Sequence, residues 1–411
     1  MNTSVLLQRV GQVDPTRLED YVAHGGFDAL RRALLRRPEK VVEEVKASGL
    51  VGRGGAAFPT GVKWEAVARE SRTPKYVVCN ADESEPGTFK DRVLMEGDPF
   101  AVLEGMAIAA YATGASEGYI YVRGEYARAY TLLRSAVDQA TQAGFLGDAI
   151  LGSDFSFHVH IYRGAGAYVC GEETALFESI EGKRGQPRQK PPFPTTHGLF
   201  GQPTVINNVE TLANVPPLIL NGAEWFRSLG PEEAPGPKLF SVSGAVNKPG
   251  VYEATMDVTL RELIEEYAGG VRDGGKVQAV LVGGAAGTFV GPKDLDVPMS
   301  FSGLRRVGAS PGSGAVMVVD ERVNMWDVLL RIARFFAHES CGKCYPCRLG
   351  TQRQLEIVTR MASGALRYKD FLRLQDLHAT MRDASLCGLG QTAGNAIISG
   401  LKVMGMGMSD D

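Results

Sequence analysis

Three cysteines in the run Cys341-Gly342-Lys343-Cys344-Tyr345-Pro346-Cys347 are separated by two residues each, and a fourth, Cys387, follows forty residues after Cys347. Three thiols at that spacing can wrap one face of a compact inorganic cluster, and a distant fourth can close it. This is the four-thiolate ligation used by iron–sulfur clusters. A structural zinc site normally pairs two Cys-x2-Cys units, so zinc is the alternative with the weaker match. Cys387 is far from the triplet and precedes Gly388 rather than proline, so the pattern describes one 4Fe-4S cluster and not a two-cluster ferredoxin. Four of the six cysteines lie in the last fifth of the 411 residues, too sparse and too lopsided for a disulfide-stapled secreted domain. A single cluster passes electrons one at a time. The end of the chain is therefore expected to be an electron-handling region.

The full length of 411 residues suggests two or three domains at about 150 residues each. Lys plus Arg is 44 against 47 Asp plus Glu, with no basic run, which argues against a nucleic-acid partner. No apolar stretch of about 18 residues exists to span a membrane. The first twenty residues lack the apolar core of a signal peptide, so a cytoplasmic protein is expected.

Periodicity predicts helices in the first fifty residues, where Leu30, Leu34, Leu35, Val41, Val42 and Val45 recur at three- and four-residue spacing. Strands are expected near 76–79, 119–122 and 155–162, alternating with helices over 99–112 and 125–143. That succession argues an α/β domain with a largely parallel sheet. A Pro-rich stretch over 187–203, a helix over 208–220 and a linker over 230–237 follow. Residues 238–319 change character: a hairpin around Asn247-Lys248-Pro249-Gly250, a short helix over 260–267 and a strand over 277–282 suggest a β-grasp-like domain. From Asn324 the pattern is helical, with Met325, Val328, Leu329, Ile332 and Phe336 on one face. The expected domains are 1–237, 238–322 and 323–411.

Glycine, at 50 residues, is about twice its usual share. Part of it sits in loops suited to close approach of a ligand. Residues 52–57 formally match the dinucleotide fingerprint G-x-G-x-x-A, yet a helical segment precedes them where a strand belongs. The alternative is a plain surface turn; the functional reading is a set of amides open to a phosphate, with Lys63 nearby. A second glycine cluster, Gly164 to Gly171, leaves a strand and leads into Glu172 and Glu173 at a helix start. Anion binding and simple complementation of the helix dipole both fit that arrangement. The acidic turn Asn80 to Glu85 follows a strand, on the edge where open α/β sheets place ligands. Together the three loops point to one ligand with phosphates and polar rings. His158 and His160 have no third ligand and read as ordinary strand residues. Cys79 and Cys170 read as packed thiols.

In order along the chain, the motifs are Gly52 to Trp64, Cys79 to Thr88, Gly164 to Thr174, Asn207 to Thr211 and the four cysteines. They resemble the flavin- and NADH-binding subunits of NADH:quinone oxidoreductases, a family shared with diaphorase subunits of NAD-linked hydrogenases and formate dehydrogenases. The likeness covers residues 49–401. It implies an α/β fold with a Rossmann-like N-terminal FMN/NADH domain, a ubiquitin-like β-grasp middle domain and a C-terminal four-helix 4Fe-4S domain.

By that resemblance Gly52, Arg53, Gly54, Gly55, Ala56, Lys63, Asn80, Asp82, Tyr168, Gly171, Glu172, Asn207 and Asn208 hold the FMN. Phe58, Glu83, Glu85, Glu173, Lys190 and Phe193 face NAD(H), and Cys341, Cys344, Cys347 and Cys387 ligate the cluster. Glu172 and Glu173 are the expected catalytic residues, tuning the flavin or handling its proton. Aromatic Phe58 and Phe193 would offer faces to an adenine. The acidic residues would lower the flavin's potential and disfavour an extra phosphate. Members often carry an aromatic where Ala66 stands, and the ending Cys387 to Ala393 is closer to the hydrogenase and formate dehydrogenase branch. The resemblance further implies a thioredoxin-like 2Fe-2S partner, other iron–sulfur subunits, and docking to a membrane complex on its cytoplasmic face. A diaphorase that reduces NAD+ and a zinc-stabilised interaction scaffold are the two alternatives.

Overall fold

The computed structural model describes residues 4–365 and 367–406. The first three residues and the last five, which belong to the expected N-terminal stretch and helical domain, lie outside the described residues, as does residue 366. The chain divides into two compact units. One holds the residues up to Ser84, Phe89–Leu239 and Glu253–Met256; the other holds Glu85–Thr88, Phe240–Tyr252 and the residues from Asp257 on.

The first unit is built on a parallel sheet of β1 (Tyr76–Ala81), β2 (Glu117–Val122), β3 (His158–Arg163) and β4 (Thr204–Asn208), in the order β3-β2-β1-β4. Val77, Val78 and Cys79 in β1 are all buried, a continuous apolar run of the kind a central strand covered on both faces requires. Against it lies the helix Pro99–Thr113, almost wholly buried and largely apolar, with one charge, Glu104, whose carboxylate accepts from the Phe27 and Leu30 amides and the Tyr21 hydroxyl. Pro99 starts it where an amide would be idle, and Gly114 ends it in the left-handed conformation at φ +72°. β3 is the sheet edge, and its residues are half-buried or exposed rather than cleanly alternating. The strand starts at His158, later than the expected 155. The two histidines there each face a carboxylate, His160 with Glu117 at 2.8 Å and His158 with Asp148 at 3.3 Å. A helix over Lys90–Gly97, not anticipated in the sequence, fills the stretch before Pro99. The expected helix over 208–220 is two, Val209–Ala213 and Val215–Asn221, because Pro216 and Pro217 restart it.

A second sheet runs in the order β6-β5-β9-β7-β8, with β5 Lys238–Gly244, β6 Gly250–Ala254, β7 Val277–Val282, β8 Thr288–Val290 and β9 Ala315–Asp320. β5 and β9 are parallel, while β7 is antiparallel to both β8 and β9. The expected short helix over 260–267 begins as one turn, Leu260–Glu262, closed by a capping box between Thr259 and Glu262, and continues as a wider π-turn over Leu263–Tyr267. The helices Met325–Glu339, Tyr345–Ala362, Tyr368–Ala384, Gly388–Thr392 and Asn395–Val403 follow. The last of these packs on β8: the Phe289 amide donates to Ser399 Oγ at 2.9 Å, and Asn395 Nδ2 donates to the Ala286 carbonyl at 3.0 Å. The β-grasp-like region and the helical region thus share one unit.

Candidate cofactor and metal sites

Three loops leave the carboxyl edge of the first sheet. β1 ends at Ala81 and runs into Asp82 and Glu83; β3 ends at Arg163 and runs into the second glycine cluster; β4 ends at Asn208. This is where an open parallel sheet leaves a crevice for a ligand. The Gly52–Phe58 loop is not preceded by a strand. A helix, Pro38–Ala47, comes before it, and the loop is pinched shut by the bridge between Val51 and Pro59 and by the Gly52 amide donating to the Phe58 carbonyl at 2.9 Å. Gly54, Gly55 and Ala56 stand exposed at its tip. Gly55 has φ +123°, which only glycine adopts without strain, and a Cβ on Gly54 would come within 3.0 Å of Asn208 Cβ. The loop is therefore a rigid run of amides, and the Rossmann strand–turn–helix context is absent.

The side chains around these loops are firmly held. Arg53 is buried: its guanidinium donates to the Pro235 carbonyl at 2.5 Å and reaches Met256 Sδ at 3.6 Å, while its amide donates to Thr211 Oγ1 at 2.8 Å. Only its main chain borders the loop tip. Lys63 donates to the Ile206 carbonyl at 2.8 Å and lies 5.9 Å from the Phe58 ring centroid. Burial pulls its pKa below the ordinary lysine range, and the charge of Glu173 opposes that. Phe58 and Phe193 are 51% and 56% exposed, two apolar rings turned outward. Trp64 Nε1 donates to Asn207 Oδ1 at 2.9 Å. Asn80 donates to the Gly171 carbonyl at 2.9 Å, which ties the first strand to the second glycine cluster. Tyr168 begins the short helical turn that ends at Gly171. Asp82 accepts from Ser84 Oγ at 3.0 Å.

Glu172 caps the helix Glu173–Ile180, its carboxylate accepting from the Thr174 and Ala175 amides at 2.9 Å each. Its other oxygen meets Lys190 Nζ at 2.9 Å, and Glu173 meets the same ammonium at 2.9 Å. Burial works against the charge on Lys190, yet Glu173 and Glu172 outweigh it and hold that lysine above its ordinary range. Glu83 is buried and accepts from the Asp91 amide at 2.8 Å, the Arg92 amide at 3.0 Å and the Tyr126 hydroxyl at 3.1 Å. Burial, with the Asp91 charge beside it, raises its pKa to about 7. Glu85 belongs to the second unit, where its carboxylate accepts from the Ala286 amide at 2.7 Å. The local negative charge is thus smaller than five acidic residues suggest, because Lys190 is shared by two of them and a third is lifted toward neutrality.

Sequence reasoning missed a buried ionic group in the first unit. Lys90 Nζ lies 2.7 Å from both Asp91 Oδ1 and Glu210 Oε2, and Lys238 Nζ lies 3.2 Å from Glu210 Oε2. Burial works against the charge on Lys90, but Asp91 and Glu210 hold its pKa above the ordinary range. Burial lowers Lys238 to about 8, against the pull of Glu210. Glu210 lay within a motif that the sequence singled out; nothing in the sequence marks Lys90, Asp91 or Lys238 as buried.

In the second unit Cys344 and Cys387 stand immediately before the helices Tyr345–Ala362 and Gly388–Thr392, and Cys341 sits in the preceding turn. Cys347 is buried, with Ser340 Oγ 3.3 Å from its sulfur. Burial first, then the neighbouring Cys344, Cys387 and Cys341, push its thiol up to about 11. Cys344, Cys387 and Cys341 thus act electrostatically on Cys347, and the amides at the start of the long helix favour negative charge there. Among the described residues no group of three His, Cys, Asp or Glu side chains is placed to hold a single metal ion. A cube of four irons bound through one thiolate per iron does not need that tight arrangement, so the donor set fits the cluster. No helix of the described residues is long and apolar enough to cross a membrane.

Residues 45–217 match the family described as the Nuo51 FMN-binding domain, residues 238–303 the SLBB domain, and residues 327–406 the NADH-ubiquinone oxidoreductase-F iron-sulfur binding region. The chain is 50% identical to an F-type subunit of NADH-quinone oxidoreductase in Rhizobium meliloti (strain 1021), over 97% of this chain and 95% of that one. It is 48% identical to the corresponding NADH-quinone oxidoreductase subunit of Aquifex aeolicus (strain VF5), over 96% and 91%. Among solved structures, an NAD+-reducing [NiFe]-hydrogenase in the H2-reduced state matches with a TM-score of 0.82 and 41% identity. That match covers 91% of this chain but 63% of the hydrogenase chain, less than two thirds of its length. These likenesses run through all three matched regions, and the chain belongs to the family of F-type NADH-quinone oxidoreductase subunits.

Proposed function

We propose that this chain is the electron-input subunit of a larger redox complex: it oxidises NADH at an FMN site and passes single electrons to a 4Fe-4S cluster. The observation that carries the reading is the meeting of three loops at the carboxyl edge of one parallel sheet, with an exposed rigid run of amides, beside a family match to an FMN-binding domain. When bound, FMN supplies the conversion from hydride uptake to single-electron delivery, and the cluster the one-electron acceptance.

The chain's own residues would bind and orient. The amides of Gly52 to Ala56 and the ammonium of Lys63 are suited to a phosphate. Asn80, held on Gly171, fixes the spacing between two of the loops, and Asn207 and Asn208 offer amide groups to a polar ring or a phosphate. Phe58 and Phe193 give apolar faces for the nucleotide's base. Glu173, with Lys190 shared between it and Glu172, is suited to receive the ribose or nicotinamide end. Hydride transfer asks for no side-chain acid or base, so Glu172 and Glu173 would act by orientation and by field. Cys341, Cys344, Cys347 and Cys387 would ligate the cluster. A thioredoxin-like 2Fe-2S protein and other iron–sulfur subunits would be the partners, on the cytoplasmic face of a membrane complex.

A second reading runs the same site backwards, as a diaphorase reducing NAD+. The likeness to a solved NAD+-reducing hydrogenase favours it. The test common to both is removal and return of FMN. NADH-dependent reduction of an artificial one-electron acceptor should vanish with the flavin and return with it, and activity surviving in flavin-free chain would sink both readings.

A further inference from the structure

Asn208 stands at the end of β4, and its side-chain polarity is settled by its surroundings. Its Oδ1 accepts from the Glu210 amide at 3.0 Å and from Lys90 Nζ at 3.4 Å, which uses both lone pairs. Its Nδ2 donates to Asp91 Oδ2 at 2.6 Å. One N–H remains, and among the described residues no acceptor takes it. The side chain is half-buried, and the exposed Gly54 passes close enough that a Cβ there would lie 3.6 Å from Asn208 Nδ2.

We propose that Asp91 is a positioning residue that fixes Asn208 as a hydrogen-bond donor, so that its remaining N–H takes an acceptor oxygen of the bound flavin nucleotide. The inference rests on the flavin reading above. Asp91 does this from a buried ionic group that also anchors the neighbouring loops. Its other oxygen pairs with Lys90, which pairs with Glu210 at 2.7 Å. Lys238, paired with the same Glu210, donates to the Arg53 carbonyl at 3.4 Å at the base of the glycine loop. The Asp91 amide holds Glu83. One ionic group of four side chains thus sets the glycine loop, the acidic turn and the Asn208 amide together. Turning the Asn208 amide over would set its NH2 against the Glu210 N–H and the Lys90 ammonium, and its oxygen against the Asp91 carboxylate. Both arrangements are repulsive.

Asp91→Asn tests this with little change of shape. The new amide keeps its oxygen on Lys90 and turns its NH2 toward Asn208, which replaces the acceptor of Asn208 Nδ2 by a donor while the Glu210 amide and Lys90 still hold Oδ1. FMN binding to the full chain is followed by flavin fluorescence, NADH KM is measured at saturating FMN, and unfolding of the FMN-free chain gives a stability check. The expected result is an FMN Kd weakened at least about tenfold with NADH KM unchanged. An FMN Kd within about twofold of the parent overturns the inference and leaves the flavin reading standing. A parent chain that binds no FMN overturns the reading and the inference with it. Should the Asp91→Asn chain fail to fold, Asn208→Ser tests the donor half of the proposal: a hydroxyl can still accept from the Glu210 amide and donate to Asp91, but it adds no charge and has no second hydrogen for a ligand. Loss of at least about tenfold in FMN affinity supports the donor role, and unchanged affinity overturns it.

Discussion

Single side chains in the first unit are saturated by neighbours to a degree that dictates what each can still offer. Glu172 spends one oxygen on the helix start and the other on Lys190, whereas the Glu173 carboxylate, among the described residues, is bonded to that shared ammonium alone. Glu173 is therefore the acidic side chain better able to take a ligand hydroxyl. Glu173→Gln should raise the NADH KM by roughly an order of magnitude, the usual size for a lost hydrogen bond to a charged group, with FMN content unchanged. Steady-state kinetics beside flavin quantification check this. Glu83 gives a pH prediction. Its folded pKa is about 7 against an ordinary 4.5, so between those values the folded chain holds a proton that the unfolded chain has released. Its contribution is fully favourable below about 4.5 and is lost as pH rises toward 7. Urea unfolding at about pH 5 and about pH 8 should show Glu83→Gln gaining on the parent at the higher pH, and a constant difference would contradict the burial argument.

At the scale of elements, legibility follows from which signals are local. The continuous apolar run of β1 and the largely apolar helix Pro99–Thr113 are readable because burial on every side leaves few polar positions, buried Glu104 being the charged exception. β8 and β9 were not recognised: three residues of β8 carry too little pattern, and β9 pairs with strands far away in sequence. The helix Lys90–Gly97 was missed because its buried Lys90 and Asp91 look solvent-exposed to any reading by residue type. The candidate site divides the same way. The glycine loops and thiols were visible as motifs, but the inward turn of Arg53 and the ionic group beneath Asn208 arise from contacts between distant segments. The thiol site makes its own element-level prediction. Gly390 lies in the short helix that begins after Cys387, and a Cβ there would come within 2.6 Å of Ser385 Cβ and 2.7 Å of Cys347 Cβ. Gly390→Ala should displace Cys347 and lower iron content per chain by roughly half or more, given the overpacking cost of a rigid contact. Full iron occupancy in that variant would show that the helix has room to shift.

For the whole molecule, the residues proposed to hold FMN lie in the first compact unit and the four thiols in the second. Flavin chemistry and cluster chemistry are thus separable, and Cys387→Ser should lose the cluster while NADH still bleaches the flavin. The family assignment carries the subunit role, while the identity of the final acceptor rests on partners outside this chain. The most direct test of the central claim is an anaerobic NADH titration of the purified, cofactor-loaded full-length chain, followed by visible absorbance and low-temperature EPR. The account predicts that the flavin band bleaches and that a reduced-cluster signal appears with it, the signal alone being abolished in Cys387→Ser. A chain that carries both cofactors yet shows no flavin bleaching with NADH would contradict it.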